Sequence, residues 1–146
     1  MTRARRKKED EKILRRLDRD ALFLAAHFRL RLARLDKENY RVKRRLGSCD
    51  SDGVILLRLR NLRTTEHLKY SSLIATLCHE LAHLTYMSHG KRFQMLNERI
   101  LEFARAQGIY RPGAPGGKNR PCPASPSPEA FHQQVPLPLP LPTTPR

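Results

Sequence analysis

With 146 residues, the chain has room for one domain, since single domains most often hold about 100–150 residues. Its 29 Lys and Arg stand against 14 Asp and Glu, a formal charge of +15, which attracts polyanions, nucleic acid first and anionic membrane surface next, and says nothing about fold. No stretch approaches the roughly 18 consecutive apolar residues of a membrane helix, no apolar signal segment follows the basic N-terminus, and Cys49, Cys78 and Cys122 form no C-x-x-C pair; a membrane span, a disulfide framework and a Cys-based zinc finger are therefore excluded, and the expectation is a soluble, monomeric protein of a reducing, intracellular compartment.

Thr2 to Lys8 is a basic arm suited to a nuclear localisation signal or to phosphate binding, and residues 1–10 are expected to be disordered. From Asp10 to Phe28 the apolar positions Ile13, Leu14, Leu17, Ala21, Leu24, Ala25 and Phe28 recur at helical spacing and predict an amphipathic helix. Phe28 to Leu35 alternates between apolar and basic residues, the period of a strand with one wet face. Tyr40 to Leu46 is strongly basic, and Gly47 to Gly53 reads as a turn by composition. Val54 to Arg60, with a β-branched start and an apolar run, is the best strand in the sequence.

Ser71 or Ser72 is positioned to cap a helix from about Leu73 to Leu84 or Tyr86. A further helix is predicted over Lys91 to Ala106, with Phe93, Leu96, Ile100, Phe103 and Ala104 on one side and Gly108 as its stop. Beyond Pro112 the composition changes: nearly all of the eleven prolines lie there. Repeated proline precludes helix and central strand, so residues 113–146 are expected to be a disordered tail of polyproline II character. One folded domain over residues 11–112 remains.

That domain contains His79-Glu80-Leu81-Ala82-His83, an H-E-x-x-H on the predicted helix. At about 100° per residue the two histidines lie some 40° apart on one face, so both imidazoles can reach one ion. Leu73, Leu77, Leu81 and Leu84 fall on another face and can enter a core. A catalytic zinc takes three protein ligands and an open position, and His89, six residues after His83, is the evident third. Ser88-His89-Gly90 supplies the turn that brings its ring back. Three neutral imidazoles leave the ion dicationic and able to acidify a water, whose proton Glu80 is placed to take and pass to a leaving amine. His27, His67 and His132 have no such company. Cys78 points about 100° away from His79 on the helix and reads as a buried apolar thiol. Tyr86 and Arg92 lie close enough in sequence to be weighed as oxyanion partners, and neither is favoured.

Ile55-Leu56-Leu57-Arg58-Leu59-Arg60, then Tyr70, Ile74 and Thr76-Leu77-Cys78-His79-Glu80-Leu81-Ala82-His83, then His89-Gly90-Lys91-Arg92-Phe93, resemble the WLM family of metalloproteases over about residues 12–110. Leu46-Gly47 stands where that family often has Leu-Gly. The resemblance implies an α+β, compact zincin-like (minigluzincin) fold with a small sheet and an active-site helix. It also implies a zinc peptidase with His79, His83 and His89 as ligands and Glu80 as acid/base. In the eukaryotic branch it further implies a nuclear role (cytoplasmic being the alternative) in clearing proteins crosslinked to DNA, with SUMO or ubiquitin pathway proteins as partners. The chain departs from the family pattern at Met87-Ser88, where many members carry Gly-Pro before the third histidine. YgjP-like hydrolases, which share the H-E-L-A-H-L opening, are the nearest rival. Metzincins are set aside because Tyr86 stands where they require Gly.

Two other readings stay open: a YgjP-like metal hydrolase with no connection to DNA, and a non-catalytic nucleic-acid-binding or adaptor module. Glu80 separates the last from an enzyme, since a structural zinc site has no use for a carboxylate beside its first ligand.

Overall fold

In the computed structural model, residues 2–113 are described; the proline-rich segment after Gly113, with Cys122 and His132, lies outside them. The chain forms α1 (Arg3–Phe28), β1 (Arg34–Lys37), β2 (Gly47–Cys49), β3 (Val54–Leu57), α2 (Tyr70–His83) and α3 (Lys91–Ala106), an α+β arrangement as expected.

The basic arm is helical rather than disordered. Thr2 caps α1 by accepting a hydrogen bond from the Arg5 amide at 3.3 Å, and Arg, Lys and Glu are all good helix formers. A tertiary tether holds this otherwise solvated stretch: the Asp10 carboxylate accepts from Arg60 Nε at 2.8 Å and lies 2.7 Å from His67 Nε2. The second half of α1 buries Leu17, Ala21, Leu24 and Ala25, the 3.6-residue stripe read from the sequence. Arg29 in the left-handed region (φ 55°) ends the helix.

The strand expected over Phe28–Leu35 is displaced toward the C-terminus, to Arg34–Lys37. The alternation before it belongs to an extended connection: Leu30 and Leu32 are half-buried, and the Ala33 amide donates to the Gly53 carbonyl at 2.9 Å. The sheet order is β1-β3-β2, with β1 parallel and β2 antiparallel to β3. Gly47–Cys49, read as part of a turn, is therefore a strand. Its weak propensity is overridden by pairing with β3 and packing on α2. The true turn is Asp50 to Gly53. The Asp50 carboxylate accepts from the amides of Asp52 and Val54 at 2.9 and 3.0 Å. Gly53 adopts φ +85°, and a Cβ there would stand 2.6 Å from the Arg31 carbonyl oxygen, so only glycine fits.

β3 ends at Leu57, short of Arg60, and pairing resumes as a single bridge between Arg60 and His67. α2 begins at Tyr70, ahead of both serines proposed as caps; Lys69 occupies the cap position without a side-chain bond. The early start has a tertiary cause. The Tyr70 hydroxyl donates to the Asp20 carboxylate of α1, and the Arg16 guanidinium lies 3.7 Å over the ring.

α2 is the spine of the core. Leu73, Ile74, Leu77, Cys78 and Leu81 are fully or almost fully buried, and the helix packs against α1, α3, β2 and β3. Leu84, past the end of the helix, is only half-buried. α3 spans the expected residues, presents Phe93, Ile100 and Ala104 to α2 and α1, and stops before Gly108 at φ +74°.

Candidate metal centre

The last turn of α2 carries His79 and His83, and the chain then leaves the helix through Tyr86 to Ser88 before α3 opens at Lys91. That short reversal returns His89 to the other two without the Gly-Pro that the resemblance led one to look for. The three Nε2 atoms converge: His79 to His83 is 3.2 Å, His79 to His89 is 3.1 Å and His83 to His89 is 3.0 Å. Among the described residues they form a group of side chains that could hold a metal ion.

Hydrogen bonding among the rings accounts for at most two of the three contacts, since each Nε2 either donates or accepts and three mutual contacts cannot all pair a donor with an acceptor. The His83 Nδ1 lies 3.0 Å from the Tyr86 carbonyl oxygen, which can only accept, so Nδ1 carries the proton and a neutral His83 presents a bare lone pair at Nε2. Three nitrogens meeting at one point, one of them fixed as an acceptor, is what a shared cation requires. The distances fit zinc: tetrahedral ligands at about 2.0–2.1 Å from the ion stand about 3.3–3.4 Å apart, within a few tenths of an ångström of the edges observed. Burial, then the neighbouring His83 and His89, lowers the pKa of His79, which favours the neutral, ligating form.

Beneath the three rings lies Phe93, 3% exposed, with its centroid 4.8, 4.4 and 5.0 Å from those of His79, His83 and His89. It is held from α3, so the three-histidine cluster is braced by a different element from the one that carries two of its members.

Glu80 lines the same cleft, a space of about 370 Å³ bounded also by Arg45, Gly47, Ser48, Cys49, His79, His83, Met87 and His89. The residue is only 6% exposed. Burial pushes its carboxyl up to about 7 although His89 and Arg45 pull the other way. β2 lies directly against it: a Cβ on Gly47 would stand 2.9 Å from Thr76 Cγ2 and 3.2 Å from Glu80 Cγ. The glycine thus lets the strand settle onto α2 and close one wall of the cleft.

Neither described thiol joins the three-histidine cluster. Cys78 is fully buried, and burial pushes it up to about 12; burial, with Glu80 and Asp50, pushes Cys49 up to about 11. Both stay protonated and are poor ligands. His27 stacks on Phe103 at 3.7 Å between centroids, and His67 is bound to Asp10. Tyr86 contributes its carbonyl rather than its ring, and Arg92 is exposed at the start of α3. The reading of the sequence missed the wall made by Gly47, Ser48 and Cys49, the cation Arg45 at the rim, and the Tyr86 carbonyl. No local pattern marks them, because each is brought to the site by pairing or by a loop; only Leu46-Gly47, noted in the resemblance, pointed there.

A model of the WLM domain matches residues 1–119. Among curated proteins, uncharacterized protein 042R of Invertebrate iridescent virus 3 is 30% identical over 86 residues, covering 58% of this chain and 49% of the viral protein. The chain thus spans about half the length of that relative. Among solved structures, Wss1 from Saccharomyces cerevisiae superposes with a TM-score of 0.61 at 19% identity, covering 70% of this chain and 84% of that one. A mutant of Wss1 gives the same TM-score, with coverage of 71% and 86%. The fold is therefore the one Wss1 has.

Proposed function

Because this chain belongs to the WLM domain family, we propose that it is a zinc-dependent endopeptidase, with His79, His83 and His89 holding the ion and Glu80 as general base, acting on proteins bound or crosslinked to DNA. The observation that carries the proposal is the meeting of three Nε2 atoms within 3.0–3.2 Å of one another in a cleft that also holds Glu80. When bound, zinc supplies Lewis acidity toward the scissile carbonyl and toward the attacking water.

The remaining work falls to the chain. Glu80, sunk beside the three histidines with no hydrogen-bond partner to its carboxylate among the described residues, is free to take a proton from the attacking water and return it to the leaving amine. Its raised pKa near 7 suits a group that must do both, and a neighbouring dication would shift it toward the carboxylate. β2 is an edge strand. Hydrogen bonds from the Arg58 amide to Leu46 and from the Asp50 amide to Val54 set the alternation, which turns the N–H and C=O of Gly47 and Cys49 away from β3. A substrate backbone can add to that open edge and lie across the cleft.

The DNA connection is supported by charge. Exposed Arg3, Arg5, Arg6, Lys7 and Lys8 stand on the first two turns of α1, and exposed Arg41, Lys43 and Arg44 occupy the loop that leads to the cleft wall. Action in the nucleus, alongside SUMO or ubiquitin pathway proteins, belongs to the same proposal.

The test is metal analysis followed by cleavage of a denatured protein with and without single-stranded DNA, for the wild type and Glu80→Gln. The expected result is one zinc per chain in both and cleavage by the wild type alone. Stoichiometric zinc without cleavage under any condition would favour a binding module. Cleavage with no steep salt dependence of DNA affinity would favour a metal hydrolase unconnected with DNA.

A further inference from the structure

Arg45 is the one cation, histidines aside, among the residues lining the cleft. It is not a free surface arginine. Its Nε donates to Glu38 Oε2 at 3.1 Å, and the Glu38 side chain is 3% exposed while that of Arg45 is 52% exposed. Glu38 is itself fixed. Its amide donates to the Leu57 carbonyl at 2.7 Å, its Oε1 accepts from the Asn39 amide at 3.1 Å, and its Oε2 lies 3.4 Å from the Ser48 hydroxyl.

A carboxylate is costly to bury and is kept so only when paired. Here the paired arrangement spends Nε alone. The two Nη groups have no hydrogen-bond partner among the described residues, on a side chain that borders the cleft shared by Glu80 and the three histidines. Guanidinium nitrogens in a plane, held from behind, match the two oxygens of a carboxylate.

We infer that Arg45, braced by Glu38, forms a subsite for an acidic side chain of the substrate next to the bond being cut. The inference deepens the peptidase reading and rests on it for the nature of the ligand. A phosphate would satisfy the same fork. A peptide is favoured because Arg45 lies two residues before β2, whose outward backbone groups would seat an extended chain, and because the cleft of about 370 Å³ suits side chains.

The experiment measures binding rather than turnover. Full-length Glu80→Gln protein, loaded with zinc, is titrated by fluorescence anisotropy with a short labelled peptide carrying one glutamate and with its glutamine twin at physiological ionic strength. The glutamate peptide is expected to bind roughly tenfold tighter, the scale of a charge-assisted pair of hydrogen bonds. Adding Arg45→Ala should level the twins, Arg45→Lys should leave part of the difference, and Arg44→Ala, of equal charge change on the same loop, should leave the ratio as it was.

A ratio near one in the parent, no measurable binding of either twin, or a ratio indifferent to Arg45→Ala overturns the inference. Twins that bind alike, together with an oligonucleotide that loses affinity on Arg45→Ala but not on Arg44→Ala, would make Arg45 a phosphate contact and overturn it too. Circular dichroism checks that each variant is folded. Cleavage of a denatured protein by the unmodified enzyme reports separately on the peptidase proposal.

Discussion

Phe93→Leu tests whether the ligand set is held by packing from below. The substitution keeps an apolar side chain in a site that is 3% exposed but removes the flat ring lying 4.4–5.0 Å from the three imidazoles. Each aromatic contact contributes about 0.5–1.5 kcal/mol beyond its buried area, and three contacts to one ring do not add fully, so a loss of about 1–3 kcal/mol is expected in the metal-free protein. For a domain of this size that lowers Tm by on the order of 5–15 °C. The more telling effect is on the metal. Groups that orient ligands typically change affinity by about 10–100-fold when removed, and Phe93 braces all three. Competition against a chromogenic chelator gives the zinc affinity, and melts with and without zinc give the stability. A lowered melting temperature with unchanged zinc affinity would refute the reasoning, because Phe93 would then be ordinary core and the backbone alone would fix the rings.

Gly47→Ala forces a methyl to within 2.9 Å of Thr76 Cγ2 and 3.2 Å of Glu80 Cγ; about 1–3 kcal/mol of stability should be lost, and Thr76→Ser, which removes the nearest atom, should restore part of it in urea unfolding. Glu80→Gln should keep its zinc and lose about 10²–10⁴-fold in cleavage rate, the usual contribution of a general base; full activity in that variant would remove Glu80 from the chemistry. Chelation should lower the melting temperature and returning zinc should restore it, since a ligand of the folded state alone stabilises by mass action. Burial alone would raise the Asp10 carboxyl, but the bonds from His67 and Arg60 outweigh it and hold it below 3.8. A depressed carboxylate contributes stability that is whole above its unfolded value and lost as pH falls through the folded one. Acid unfolding monitored by circular dichroism should therefore show a loss below about pH 4 that Asp10→Asn flattens.

Local signals were legible where one element satisfied them by itself. The stripe Leu17, Ala21, Leu24 and Ala25 and the H-E-x-x-H spacing follow from a period of 3.6 residues, and the helix ending before Gly108 follows from the positive φ that glycine tolerates. They needed no partner to be recognised. The basic arm was misread because charge and propensity do not tell a solvated coil from a helix; the pairing of Asp10 with Arg60 and His67, fifty or more residues away, decided it. Likewise Gly47–Cys49 has turn composition, and only β3 on one side and α2 on another make it a strand.

The amino-acid sequence alone determined which side chains can bind a metal ion and which helix carries two of them, because ligand chemistry belongs to the residue and helical spacing to the nearest turn of backbone. The spacing of His89 nominated it as their companion; the tertiary structure decided how closely it meets them, that Phe93 lies beneath all three rings and that Gly47 and Arg45 border Glu80. Those relations join α2 to α3, β2 and a loop. Distances between elements are set by how the whole core packs, and no short stretch of sequence contains them.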